Sequence, residues 1–194
     1  MTRDKMKLCD IRTLIVDNDR FGVTLLVQML HGLGLDTIKI VDTGAAAQAQ
    51  LGNADFELCI CDGDLSDMTA AEFLRWLRRR TTPARFTPVM VMTAYSDFRS
   101  VTSFRDAGAH IVVKKPPSPQ VLYDRIAWLA QPGRPFVEAE GYVGPDRRFK
   151  SIGPPEGIGR RATDLSAEVG QATEPNLSQD EIDCMVKPMK VFAE

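Results

Sequence analysis

Five short apolar runs, each followed by a stretch of helical periodicity, constrain this chain more than any other feature. The runs occupy 13–16, 37–41, 58–61, 89–92 and 111–113. They are too short for buried helices and almost uninterrupted by polar residues, the pattern of parallel strands covered on both faces. Between them, apolar residues recur every three or four positions. Phe21, Leu25, Met29 and Leu30 mark one helical face, and 45–51 holds a second. Phe73, Leu74 and Leu77 mark a third; Val101, Phe104 and Ala107 a fourth; Val121, Leu122, Ile126 and Leu129 a fifth. Strict alternation predicts an α/β fold, a doubly wound five-stranded parallel sheet. In such sheets, ligands and chemistry collect at the carboxyl ends of the strands.

The pattern stops near Gln131. Pro132, Gly133, Pro135, Gly141, Gly144 and Pro145, then Gly153, Pro154, Pro155, Gly157 and Gly159, break any regular period, and the apolar content is too low for a second core. The reading is a domain over 1–131 and an irregular C-terminal extension. The extension divides into an arginine-bearing part, 132–164, and an acidic tail, 165–194. The net charge of −2 comes from that tail, which carries six acidic and two basic side chains. A short helix is expected over Gln179–Val186, with Ser178 as N-cap and Glu181 at the third helical position.

With 44% hydrophobic residues and no run of ~18 apolar ones, no membrane span is expected. The charged start MTRDKMKLCD has no apolar core of a secretory signal, so a cytoplasmic setting is expected. Cys59 and Cys61 sit inside an apolar run, Cys9 and Cys184 are isolated, and no histidine clusters with them. All four read as inert thiols rather than metal ligands or disulfides.

Acidic residues punctuate the strand ends: Asp17 and Asp19 after the first, Asp62 and Asp64 after the third. The fourth run ends in Thr93-Ala94 and the fifth in Lys114-Lys115-Pro116. Clustered carboxylates attract a hard cation such as Mg²⁺, and a hydroxyl and an ammonium opposite them can grip a phosphoryl group. Together they are equipment for phosphoryl transfer to an aspartate.

At this point the sequence resembles the response-regulator receiver family of the single-domain, CheY-like chemotaxis type. TLIVDND, LCICDGDLSDMTAAEFLRWLR, PVMVMTAYSD and AGAHIVVKKPPSP resemble that family's motifs in order and spacing, over roughly 10–130. The resemblance implies a signalling module and not an enzyme, phosphorylated on Asp62 by a histidine kinase or phosphotransfer protein. It implies Thr93 as switch hydroxyl and Lys115 as phosphate-contacting lysine. Mg²⁺ would be held by Asp17, Asp62 and the backbone carbonyl of Asp64, with Asn18 as a further donor. Lys114 would point away from the site by strand alternation.

Several positions depart from the family pattern. Asn18 replaces the second carboxylate of the usual acidic pair, which should weaken Mg²⁺ binding unless Asp19 or Asp64 compensates. Val112 stands where an aromatic switch residue is common, and Ser66 and Ala70 replace a proline and a glycine after Asp62. A rival resemblance, of Asp62-x-Asp64-x-Ser66 to haloacid-dehalogenase-type phosphatases, fails for want of an acidic pair downstream of Lys115.

In the extension, Arg147-Arg148 and Arg160-Arg161 lie near glycine and an aspartate. An arginine can bond guanine O6 and N7 bidentately, and an aspartate can accept from the guanine N1–H and N2–H₂ edge. Over 142–164 the chain resembles the arginine-rich segment of CheY-like cyclic di-GMP effector proteins. That resemblance implies cyclic di-GMP as a ligand of Asp146, Arg147, Arg148, Arg160, Arg161 and Asp164. Another polyanion is the alternative; duplex DNA is disfavoured because 132–164 carries only one net positive charge. Residues 177–183 resemble the N-terminal peptide of the flagellar motor-switch protein, which implies a motility partner or docking on the chain's own receiver. The competing reading is a conventional two-component regulator with a passive tail.

Overall fold

The computed structural model describes residues 11–130, 135–146 and 178–186. Five strands, β1 (Thr13–Val16), β2 (Ile38–Val41), β3 (Leu58–Asp62), β4 (Val89–Thr93) and β5 (Ile111–Lys114), form one sheet in the order β2-β1-β3-β4-β5. Every pairing in it is parallel. The crossovers are helices α1 (Arg20–Gly32), α2 (Gly44–Asn53), α3 (Ala70–Arg78) and α4 (Phe98–Asp106), with a 3-10 turn at Pro83–Phe86, and α5 (Pro119–Leu129) closes the series. The doubly wound sheet expected from the alternation is therefore present, each strand within a residue or so of its apolar run.

Side-chain alternation divides the strands between two cores. Leu14, Val16, Cys59, Cys61, Val89, Val91 and Val112 face α2, α3 and α4, where they meet Ala47, Phe73, Leu74, Leu77 and Phe104. Ile15, Ile60, Met90, Met92, Ile111 and Val113 face α1 and α5, where they meet Leu26, Leu30, Leu122 and Ile126. Both faces are buried, which is why the runs read as continuously apolar. Burial pushes the Cys59 thiol up to about 12 and Cys61 well above its usual value, in line with the inert reading of these two.

The helix starts are written in the sequence. Asp19, Thr43, Asp97 and Ser118 each accept a backbone N–H in the first turn of α1, α2, α4 and α5, and Thr69 with Glu72 forms a full capping box on α3.

Two pieces of the extension have regular structure. A hairpin of β6 (Phe136–Ala139) and β7 (Tyr142–Pro145) turns at Gly141, whose φ of 84° is a conformation side chains resist. Phe136 packs edge-on to Phe86, and Arg85 pairs with Glu138, so the hairpin sits against the amino-terminal end of the sheet. These strands have four residues each, and their two fully buried positions are Gly144 and Pro145, which leaves little apolar signal to read. The second piece is α6 (Gln179–Val186), the helix expected from the Ser178–Glu181 spacing. Ser178 and Glu181 bond each other's backbone N–H groups. It packs on β5 and α4, and Ile182 is fully buried there.

Candidate functional site

Parallel strands end together, so the residues after β1, β3, β4 and β5 share one edge. Asp17 directly follows β1, Asp62 and Thr93 are the last residues of β3 and β4, and Lys115 follows β5. Lys115 Nζ lies 2.7 Å from Asp17 Oδ2 and 3.0 Å from Asp62 Oδ1. Its backbone N–H donates to the Thr93 carbonyl at 2.8 Å, which ties its position to the end of β4. The Lys115–Pro116 peptide is cis.

The electrostatics follow from one cation between two shielded carboxylates. Burial pushes the Asp62 carboxyl above its usual range; the Lys115 contact pulls it back only in part, and the Asp17 charge adds to the rise. For Lys115, burial acts downward, but hydrogen bonds and charge from Asp17 and Asp62 outweigh it, so the ammonium titrates above its usual value. Two carboxylates against one lysine leave an excess negative charge, the condition under which a small cation is attracted. Asp62 Oδ1 also accepts the Gly63 N–H at 2.8 Å, so all these contacts fall on one of its two oxygens.

Thr93 is almost completely buried, and its hydroxyl exchanges hydrogen bonds with the Tyr95 backbone, accepting at 3.0 Å and donating at 3.1 Å. A Cβ at residue 63 would stand 2.9 Å from Thr93 Cβ and Oγ1, so only glycine after Asp62 lets β3 and the Thr93 side chain come this close.

The remaining donors are arranged unevenly. Asn18 and Asp64 are exposed beside the edge. Asp19 does not supply the missing carboxylate, because its side chain caps α1 at Phe21 N–H. Asp17 Oδ1 accepts the Asp19 N–H at 2.8 Å, fixing that turn. Among the described residues no group of three or more His, Cys, Asp or Glu side chains is poised on a metal. Two carboxylates, an amide and a backbone carbonyl are oxygen donors of the kind Mg²⁺ takes, with waters completing its octahedron. The loop after Asp62 is anchored without proline: Ser66 Oγ donates to the Asp42 carbonyl, and Asp67 accepts both Gly44 and Ala45 N–H groups at the start of α2. Val112 is wholly buried in the core and holds no switch position at the surface.

In the extension, Asp146 follows β7 and donates its N–H to the Pro135 carbonyl. Arg147, Arg148, Arg160, Arg161 and Asp164 lie outside the described residues. Two side chains escaped the sequence reading. Arg78 ends α3 and is buried among backbone carbonyls; a run of three arginines gives no hint of which one turns inward. Gln179 reaches the edge of β5, and only its place at the first turn of a helix could have drawn attention to it.

A doubly wound sheet carrying an acidic pair and a lysine at its carboxyl edge defines a class of small signalling modules. The response regulator receiver domain matches residues 13–127, more than half of the chain, and the chain belongs to that family. Among curated proteins it is 27% identical to the chemotaxis protein CheY of Pseudomonas aeruginosa, over 60% of this chain and 93% of CheY. It is 29% identical to the transcriptional regulatory protein ZraR of Escherichia coli, again over 60% of this chain but only 24% of ZraR. The chain thus spans about a quarter of ZraR. A putative response regulator from Chloroflexus aurantiacus superposes with a TM-score of 0.58 at 25% identity, over 61% of this chain and 96% of that one. The receiver domain of the sensor kinase PA1611 from P. aeruginosa, solved with magnesium in its active-site cleft, shares the fold at 20% identity. That match has a TM-score of 0.57 and covers 62% of this chain and 98% of that one.

Proposed function

We propose that the chain is a phosphorylation-controlled response regulator whose acceptor is Asp62. The observation that carries this reading is the Asp17–Lys115–Asp62 cluster at the carboxyl edge of a receiver sheet. In the transfer, an Asp62 carboxylate oxygen forms a bond to phosphorus while the bond to the donor's leaving group breaks, its electron pair departing with that group. Lys115 neutralises the phosphoryl oxygens that then face it, and Thr93 turns its hydroxyl from the Tyr95 backbone to a phosphoryl oxygen. Asp17, Asp62, the Asp64 carbonyl and Asn18 would hold Mg²⁺, which would supply charge neutralisation for the transfer. The donor is a histidine kinase or phosphotransfer protein in the cytoplasm, and Phe21 and Leu25, exposed on α1 beside the site, offer it an apolar contact. No helix among the described residues is long and apolar enough to cross a membrane.

The test is incubation with a small phosphodonor, with and without Mg²⁺, read by intact mass. The expected result is an acid-labile gain of one phosphoryl group that needs Mg²⁺ and is absent in Asp62→Asn. Retention of the gain in Asp62→Asn sinks the assignment.

The arginine pairs support a second reading, in which residues 142–164 bind cyclic di-GMP and couple the receiver to a motility partner such as the flagellar motor-switch protein. It rests on the sequence of that segment. Calorimetric titration of the whole chain and of an Arg160→Ala, Arg161→Ala variant separates it from a passive linker. Binding lost in the variant supports it, and no preference for cyclic di-GMP over GMP removes it.

A further inference from the structure

The solvent side of α3 carries charge that nothing in the fold uses. Arg75 and Arg79, and Trp76 and Arg80, are each four residues apart, so all four stand on one side of the helix and the turn that ends it. With Glu72 and Thr81 they line an open groove of about 630 Å³, a volume typical of small-molecule sites. Arg12, Arg85 and Arg105 are neutralised by Glu57, Glu138 and Asp106. The exposed guanidiniums of Arg75 and Arg79 have no hydrogen-bond or salt-bridge partner among the described residues. The groove's single acid is engaged elsewhere, since Glu72 accepts from the Thr69 N–H and hydroxyl at 2.8 and 2.9 Å. Trp76 adds a flat apolar surface. Its ring stacks on Phe73, with centroids 6.1 Å apart and 22° between planes, and Arg80 Cζ lies 4.9 Å from the Trp76 centroid. Arg80 Nε is shielded and has no hydrogen-bond partner among the described residues, so the ring rather than an acceptor holds that guanidinium.

We propose that this groove is a nucleotide site. A purine base stacks on Trp76 in place of the Arg80 guanidinium, and Arg75, Arg79 and the released Arg80 bind the phosphates. The exchange is favourable because a base stacks on an aromatic ring more strongly than a guanidinium does at an exposed position. Arginine forks match phosphate oxygens bidentately, so the freed Arg80 gains a better partner than the ring. Three guanidiniums against one engaged carboxylate suit a di- or triphosphate better than a monophosphate. A groove of this size takes one nucleotide rather than a run of nucleic acid. The site shares no residue with the Asp17–Lys115–Asp62 cluster or with the arginine pairs at 147–148 and 160–161. It therefore stands or falls apart from both functions proposed above.

ATP is the probe, titrated into the full-length chain in EDTA so that Mg²⁺ cannot bring it to the Asp17–Asp62 edge. The chain has two tryptophans, and Trp128 lies on α5 against the other core, so Trp128→Phe leaves Trp76 as the fluorescent reporter. Expected is quenching of Trp76 by ATP, with affinity about tenfold or more above that of adenosine or inorganic tripolyphosphate, because base and phosphates both contribute. Arg75→Ala with Arg79→Ala should lower the ATP affinity about tenfold or more while leaving the unfolding midpoint unchanged, since neither side chain has a partner in the fold. Trp76→Leu, followed by calorimetry, should lose the preference for ATP over tripolyphosphate. Should that variant fail to fold, the double arginine variant still decides the matter. Four results overturn the proposal: no quenching by ATP, tripolyphosphate binding as tightly as ATP, undiminished binding in the double arginine variant, or a kept preference in Trp76→Leu. Loss of ATP binding in Arg160→Ala, Arg161→Ala would place the nucleotide on the extension instead. A single-stranded oligonucleotide binding far more tightly than ATP would make nucleic acid the ligand, and either outcome equally contradicts the site proposed.

Discussion

Two cations stand at opposite ends of the sheet and are held in opposite ways. Lys115, at the carboxyl edge, faces two carboxylates and is partly exposed. Arg78, at the amino-terminal end, is 1% exposed and has no carboxylate partner among its bonds. Its guanidinium donates to the carbonyls of Gly108 at 3.1 Å, Arg85 at 2.6 Å and Thr87 at 3.0 Å, and lies 3.2 Å from His110 Nδ1 and over the Phe136 ring. Burial lowers it to about 10, which still leaves it charged at neutral pH. Carbonyls do not titrate, so Arg78 is a fixed staple joining α3, the 3-10 turn before β4, the α4–β5 turn and the hairpin. Carboxylates do titrate and bind cations, so the Lys115 cluster responds to what arrives. The same type of charge makes a strut in one place and, on the function proposed above, a switch in the other.

That contrast can be broken first at the strut. Arg78→Met should cost about 3–5 kcal/mol in urea unfolding, because buried carbonyls lose charged donors worth ~1.5–3 kcal/mol each. The folded fraction should still accept phosphate. A loss below ~1 kcal/mol would mean the carbonyls find other partners and the staple is not structural.

At the switch, Lys115→Met should abolish measurable phosphorylation yet destabilise less, by roughly 1–3 kcal/mol at neutral pH, since it leaves two like charges unpaired. Without the ammonium the Asp62 carboxyl shifts up further. Its penalty therefore vanishes as pH falls through its raised value, and the variant should converge on the parent in acid. In the parent, the raised Lys115 value means its contribution persists through neutral pH and is lost only as pH climbs through that value. A pH series of unfolding midpoints checks both signs.

Asp62→Asn should have a smaller effect and the opposite sign. The raised Asp62 value means the folded state disfavours its charge, so ionisation penalises the fold at neutral pH and the penalty fades as pH falls. The amide should raise the midpoint at neutral pH, with the two curves meeting in acid; a lowered midpoint would show that the Lys115 pairing outweighs burial. Smallest is Asn18→Asp, which should tighten Mg²⁺ binding in a calorimetric titration by adding an anionic oxygen. No gain would place that donor elsewhere.

How much of this was legible follows from periodicity and register. Residues buried on both faces of a strand announce themselves, so β1, β3 and β4 could be read directly, and with them Asp17, Asp62 and Thr93 at their ends. The pairing of Lys115 with both carboxylates needed the strand order, which alternation alone does not fix. Asp19 could not be separated from Asp17 by composition: one is a helix cap and the other faces the lysine, a distinction made by a single turn. Arg78 was hidden because long-range carbonyls, not neighbours in sequence, define its place. The hairpin was hidden because its two four-residue strands, with glycine and proline at the buried positions of β7, lack an apolar stripe. The helix α6 was visible from its capping box, but its seat on β5 depends on where Gln179 points.

The central claim is that Asp62 receives the phosphoryl group. Reduction of the phosphorylated chain with borohydride converts an acyl phosphate at an aspartate to homoserine, which peptide sequencing by mass spectrometry locates. Homoserine at position 62, dependent on prior exposure to phosphodonor and Mg²⁺, is the predicted result. Homoserine at 17 or 64, or at no position in a chain shown to be folded, would contradict it.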